Sequence, residues 1–147
     1  MRVVIQRVLK ASVEVENKIV GSIDKGLLVL FGTKEGDKKD QLSYLIDKLI
    51  NLRIFPDEND KLNLSLKDIE GEILIVSQFT LYGDCSKGRR PSFVHAQKPE
   101  EAKKIYELFL SEMKKEIKKV ESGIFGAKMK VSLINDGPVT FIIDAKE

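Results

Sequence analysis

Five consecutive apolar residues, Leu27-Leu28-Val29-Leu30-Phe31, follow directly on Lys25-Gly26. A run with no polar face reads as a strand buried on both sides, and it is far too short to span a bilayer. Upstream, residues 2 to 8 and 11 to 16 read as strands, with alternation clearest in Ser12-Val13-Glu14-Val15-Glu16. Glu16-Asn17-Lys18 looks like a turn, so residues 11 to 23 form an expected hairpin. Downstream, Leu42, Leu45, Ile46, Leu49 and Ile50 fall at the spacing of one buried helix face, with Asp37 as the expected cap and Pro56 beyond the end. Leu62, Leu64 and Leu66 alternate with polar residues as a short strand, and Glu72 to Leu81 reads as another. Pro99-Glu100-Glu101 opens a second helix with core face Ala102, Ile105, Phe109, Met113, Ile117 and Val120, stopped by Gly123. Two last strands, 128 to 134 and 139 to 143, are joined by Asn135-Asp136-Gly137-Pro138. The elements follow no repeating βα pattern, so a mixed α+β fold is expected, as one domain spanning 1–147.

Composition excludes several classes. With 42% apolar residues, 25 basic against 23 acidic ones and a formal charge of +2, the chain is neither disordered nor a charged tail. That charge neither demands nor excludes a polyanionic partner. Met1-Arg2-Val3-Val4 lacks the pattern of a secretory signal, and one cysteine, Cys85, cannot make an internal disulfide. A soluble cytoplasmic protein with no membrane partner is expected.

Familiar catalytic machinery is missing: there is no Gly-rich phosphate loop, Cys/His cluster or nucleophile elbow. His95 is the single histidine, a general base or a structural or solvated side chain. Cys85 has no evident histidine with a supporting carboxylate to activate it. Ser77-Gln78-Phe79-Thr80-Leu81 is stranger, because a buried strand seldom ends in several hydrogen-bonding side chains without partners for them. In extended chain Gln78 and Thr80 face one side, Ser77 and Phe79 the other, so all four share a pocket only if the strand bends or ends there. The segment is either a locally capped terminus or a source of backbone N–H groups for a bound carbonyl. Asn135-Asp136-Gly137-Pro138-Val139-Thr140 carries an Asp-Gly turn signal followed, less ordinarily, by proline. Lys87, Arg89, Arg90, Lys98, Lys103 and Lys104 form a basic stretch, a phosphate site or a solvated surface.

Taken together, Met1-Arg2-Val3-Val4-Ile5-Gln6-Arg7-Val8, Ser77-Gln78-Phe79-Thr80-Leu81 and Asn135-Asp136-Gly137-Pro138-Val139-Thr140 resemble the D-aminoacyl-tRNA deacylases over the whole chain. The resemblance implies hydrolysis of the ester joining a D-amino acid to the 3′-terminal adenosine of tRNA, and removal of glycine from mischarged tRNA. It implies a compact barrel-like β structure with two main helices packed outside, and a homodimer with active sites at the interface. Ser77, Gln78, Phe79 and Thr80 are then the catalytic segment of one subunit. Gly137 and Pro138, joined by a cis bond, then reach in from the other subunit as a chiral filter; Arg7 on the first strand either helps to hold that turn or is an ordinary surface arginine. Lys87, Arg89 and Arg90 become contacts to tRNA phosphates. No cofactor and no metal are expected. Some vertebrate relatives carry a C-terminal extension that this sequence lacks, and no DNA role is expected.

The physical logic of such an enzyme is simple. A catalyst that accepts many D-amino acids cannot grip their side chains and must read the Cα centre. A methyl-sized difference in attraction gives only ~1–3 kcal/mol, so a rigid block against the L-configuration is the stronger device. Proline fixes φ and glycine adds no Cβ, so main-chain atoms can stand close to the substrate. Aminoacyl esters are reactive, and an oriented water with a polarised carbonyl can suffice. The backbone N–H of Phe79 or Thr80, with Gln78, is the expected oxyanion donor, and the tRNA 2′-hydroxyl the expected aid to the water. Thr80 as covalent nucleophile is the rival mechanism. The rival function is a non-catalytic tRNA- or RNA-binding module.

Overall fold

A computed structural model describes residues 1–146; Glu147, the last residue of the expected domain, lies outside the described residues. Eight strands and two helices run in the order β1 (Arg2–Val15), β2 (Lys18–Ile23), β3 (Gly26–Gly32), α1 (Leu42–Asn51), β4 (Phe55–Pro56), β5 (Leu62–Leu64), β6 (Glu72–Ser77), α2 (Pro99–Glu116), β7 (Val120–Ser122) and β8 (Lys130–Asp144). The main sheet has the path β2-β1-β3-β6-β7, with β8 on the other edge of β1. β2 also lies against β6 and β7, so the sheet closes nearly into a barrel. This is the mixed α+β fold expected from the element order, with the barrel-like sheet and two outer helices that the resemblance implied.

The apolar run is the centre of the sheet. β3 is antiparallel to β1 and parallel to β6, and both of its faces are covered. Leu27, Val29 and Phe31 face α1 and α2 together with Ile73 and Ile75. Leu28 faces the barrel interior with Val8, Ala11, Val13, Ile23, Leu74 and Val76. Burial on both sides is why no polar alternation appears in this stretch. A Cβ at Gly26 would overlap the Glu72 carbonyl, so glycine is required where these parallel strands meet. Phe31 packs on Phe109 of α2 at 4.7 Å between ring centroids. The hairpin after β1 turns through Glu16 and Asn17, with φ of 50° and 64°, the left-handed pair that suits a tight strand connection.

Several boundaries differ from the sequence reading. Residues 2 to 15 form one strand rather than two, with register shifts opposite β8 between Gln6 and Lys10. β8 is likewise one strand from 130 to 144, antiparallel to β1 along its length. Asn135 to Pro138 is therefore a bulge and not a hairpin turn: pairing with β1 on both sides overrides the Asp-Gly signal. Asp37 caps no helix. Its carboxylate lies 2.6 Å from the Met1 ammonium and accepts the Lys34 N–H at 2.7 Å, because a buried positive charge needs a counter-ion. α1 is instead preceded by a 3-10 turn over Lys39–Gln41. α2 ends at Glu116, not at Gly123, and Val120 belongs to β7, where it pairs with Ile73. β6 thereby gains a partner for its otherwise open edge. Finally, β6 ends at Ser77, short of Leu81, and Leu66 is buried beyond the end of β5.

Candidate functional site

Ser77 is the last paired residue of β6, opposite Phe31. Gln78 then leaves the strand, with φ −145° and ψ 82°, while its N–H still donates to the Phe31 carbonyl at 2.7 Å. Phe79–Tyr82 wind into a 3-10 turn closed by Leu81 N–H to Gln78 O and Gly83 N–H to Thr80 O. The first N–H groups of such a turn have no partner within it. Among the described residues no backbone carbonyl accepts the N–H of Phe79 or Thr80.

This strand end forms the rim of a cavity of about 650 Å³. Ser77, Gln78 and Phe79 line it, together with Thr33, Phe93 and Tyr106. The Tyr106 hydroxyl donates to the Ile75 carbonyl at 2.9 Å, and burial pushes its phenol up to about 12. It is thus a neutral wall of the cavity at physiological pH. Thr80 does not line the cavity. It is exposed, and its Oγ1 accepts from the Gln78 carboxamide. The strand end therefore divides the four residues: three line the cavity and the fourth does not.

Gly137 and Pro138 lie elsewhere, in the β8 bulge, joined by a cis peptide bond. Arg7, only 7% exposed, sits beneath them. Its Nη1 donates to the Ile54 carbonyl at 2.8 Å, and its Nε lies 3.1 Å from Asp136 Oδ2, an ion pair without hydrogen-bond alignment. The Asn135 carboxamide donates to the carbonyls of Arg7 and Val139, at 2.9 and 3.0 Å, and pins the bulge from within. A Cβ on Gly137 would stand 2.9 Å from Arg7 Nη2. Neither Gly137 nor Pro138 lines the cavity of its own chain. The fold thus makes two separate units, a strand-end cavity and an arginine-backed Gly-Pro bulge.

The basic stretch also divides. Lys103 pairs with Glu107, and Lys104 with Glu100 and Glu101. Lys87, Arg89 and Arg90 are exposed on the loop after the 3-10 turn, and none of them makes an ion pair within the described residues. His95 borders a second, more open recess of about 440 Å³ with Arg2 and Tyr82. Arg2 stacks over the Tyr82 ring at 5.4 Å, and burial raises the Tyr82 phenol far above its ordinary range. Cys85 is free and exposed. Among the described residues no cluster of His, Cys, Asp and Glu is placed to hold a metal ion. Thr33, Phe93 and Tyr106 are cavity residues that the sequence reading did not single out. For Phe93, the available signal was an aromatic residue inside a loop, outside any core periodicity. For Tyr106 it was a hydroxyl at a core-facing helix position.

Strand end, cavity and bulge together belong to a known class of hydrolases. Residues 4–144 match the family model described as D-Tyr-tRNA(Tyr) deacylase. The chain belongs to that family. It is 61% identical over 147 residues to the D-aminoacyl-tRNA deacylase of Thermosipho africanus (strain TCF52B), covering 100% of this chain and 99% of that one. It is 60% identical, over the same shares, to the D-aminoacyl-tRNA deacylase of Clostridium botulinum (strain Alaska E43 / Type E3). Among solved structures, the c-Myc DNA Unwinding Element Binding Protein superposes with a TM-score of 0.94 at 39% identity, covering 100% of both chains. A probable eukaryotic D-amino acid tRNA deacylase shares the fold, with a TM-score of 0.82 at 21% identity over 97% of each chain.

Proposed function

We propose that this deacylase hydrolyses the ester between a D-amino acid and the 3′-terminal adenosine of tRNA, and clears glycine from mischarged tRNA. The observation that carries the reading is the Phe79 N–H, which no backbone carbonyl among the described residues accepts, on the rim of a cavity of about 650 Å³. A donor fixed there before the reaction stabilises the oxyanion that forms when water adds to the ester carbonyl. One such donor is typically worth ~2.7–4 kcal/mol. Proton transfer falls to the tRNA's own 2′-hydroxyl and to water. Thr80 is a poor nucleophile: it is off the cavity, and its neighbour Gln78 is an amide without basicity.

The stereochemical filter is the Gly137-Pro138 bulge, with Arg7 behind it. A block made of main-chain atoms rejects an L side chain and ignores a D one; glycine, having none, passes. On this reading the filter acts in the cavity of a second copy, since neither Gly137 nor Pro138 lines the cavity of its own chain. β8 supports that arrangement: β1 pairs along one edge of it, no described strand pairs along the other, and Ile142 is 66% exposed. The setting we propose is the cytoplasm. Among the described residues no helix is long and apolar enough to cross a membrane. DNA binding, as in the name of one solved relative, is left to that protein.

The test is direct. Purified protein is mixed with D-tyrosyl-tRNA, L-tyrosyl-tRNA and glycyl-tRNA, and the released amino acid is measured. Release from the D- and glycyl species alone is expected. Retention of every ester, with tRNA still bound, would make the chain an RNA-binding module. Gel filtration of an active sample should run above the mass of one 16.6 kDa chain; elution as a monomer would end the shared-site reading.

A further inference from the structure

Phe79 and Phe93 meet edge to face, with ring centroids 5.1 Å apart and planes at 65°. Both line the cavity, yet Phe79 is 57% and Phe93 40% exposed. Two large aromatic rings left half in water at a pocket mouth serve no core.

Phe93 is also held firmly. The Asp84–Ser92 bridge closes the loop before it, Ala96 N–H donates to its carbonyl at 3.1 Å, and Gln97 N–H ties the next turn to the Thr33 carbonyl at 3.1 Å. Gly83 lets the ring approach; a Cβ there would lie 3.0 Å from Phe93 Cε1. The surface is therefore preorganised and not a flexible flap.

Charge indicates what covers it. Lys87, Arg89 and Arg90 stand exposed on the same loop, and Lys98, also exposed, borders the cavity itself. An exposed aromatic face with one cation at the cavity rim and three more on the same loop suits a base on a phosphate chain better than an uncharged protein surface. We propose that Phe93, braced by Phe79, is a stacking platform for an unpaired base of the substrate's single-stranded 3′ end. The proposal rests on the tRNA-ester reading above. It adds that the enzyme grips the strand leading to the terminal nucleoside as well as the ester.

The experiment compares D-tyrosyl-tRNA with 3′-O-(D-tyrosyl)adenosine, which carries the same ester and no preceding nucleotide. Phe93→Leu keeps an apolar contact with Phe79 but removes the π face. We expect it to lower kcat/KM on the tRNA ester by about 5- to 100-fold, chiefly through KM. Turnover of the adenosine ester should fall several-fold less than that of the tRNA ester, and Phe93→Trp should restore the tRNA reaction. Anisotropy with an uncharged RNA hairpin bearing a short unpaired 3′ tail reads the platform without hydrolysis. That affinity should weaken in Phe93→Leu, while a blunt hairpin shows no difference. If wild-type protein hydrolyses neither ester, the tRNA-ester reading fails, and the hairpin comparison still decides the platform. Equal losses on both esters, unchanged binding of the tailed hairpin, or a shift of oligomeric state in Phe93→Leu would overturn it.

Discussion

Arg7 holds Asp136 at 3.1 Å from beneath the β8 bulge, although the two residues lie at opposite ends of the chain. Arg7 also donates to the Ile54 carbonyl, so one planar guanidinium ties β1, the segment after α1 and the bulge together. Arg7→Ala should destabilise the protein by about 2–4 kcal/mol, because it strands a carbonyl and a partly buried carboxylate. Arg7→Lys should rescue little, since an ammonium cannot span both partners. Urea unfolding gives the stability, and turnover of D-tyrosyl-tRNA should fall with both variants.

Gly137 has φ of +121°, and a Cβ there would lie 2.8 Å from Val139 Cγ2 and 2.9 Å from Arg7 Nη2. Gly137→Ala should therefore cost about 1–3 kcal/mol of stability and displace the bulge. Activity on the D-ester should drop, as measured with folded protein well below its Tm. Wild-type rates in that variant would remove the bulge from the filter.

Thr80→Val removes a hydroxyl that is not part of the cavity lining and accepts from Gln78. Turnover should remain within about tenfold of wild type, since the Phe79 N–H is untouched. Single-turnover rates check this; abolished chemistry with normal tRNA binding would restore the covalent route.

Arg2 donates to Asp144 at 2.8 Å and holds that carboxyl below its ordinary 3.8, chiefly through the hydrogen bond. A depressed folded value means the contribution is present above the unfolded value and is lost as pH falls through the folded one. Stability should thus be flat near neutrality and decline below about pH 4. Asp144→Asn should reduce the acid-limb slope in urea titrations at successive pH values, and an unchanged slope would discount the pair.

Lys87, Arg89 and Arg90 should matter through charge alone. Changing all three to Gln should raise KM for tRNA without altering kcat. The slope of log affinity against log salt should fall by roughly 0.7–0.9 per lost phosphate contact. An unchanged slope would return these residues to the solvated surface.

The chain's own pattern determined the layers. Leu27 to Phe31 could only be buried on both faces, the alternation at 12 to 16 marked the hairpin, and the apolar spacing from Leu42 to Ile50 marked α1. These signals are local, carried by neighbours within a few residues. The chemistry-bearing segments were legible as motifs through resemblance, and less so from their residues alone. Tertiary structure decided the rest. Asp136-Gly137 reads as a hairpin turn until β1 pairs on both sides of it and makes it a bulge. Asp37 reads as a helix cap until the Met1 ammonium arrives beside it. The break at Gln78 separates Thr80 from the cavity that its neighbours line, and Phe93 and Tyr106 reach that cavity from a distant loop and helix. Such outcomes depend on free energy gained between residues far apart in sequence, which overrides local preference wherever pairing or charge burial is worth more than a turn or a cap.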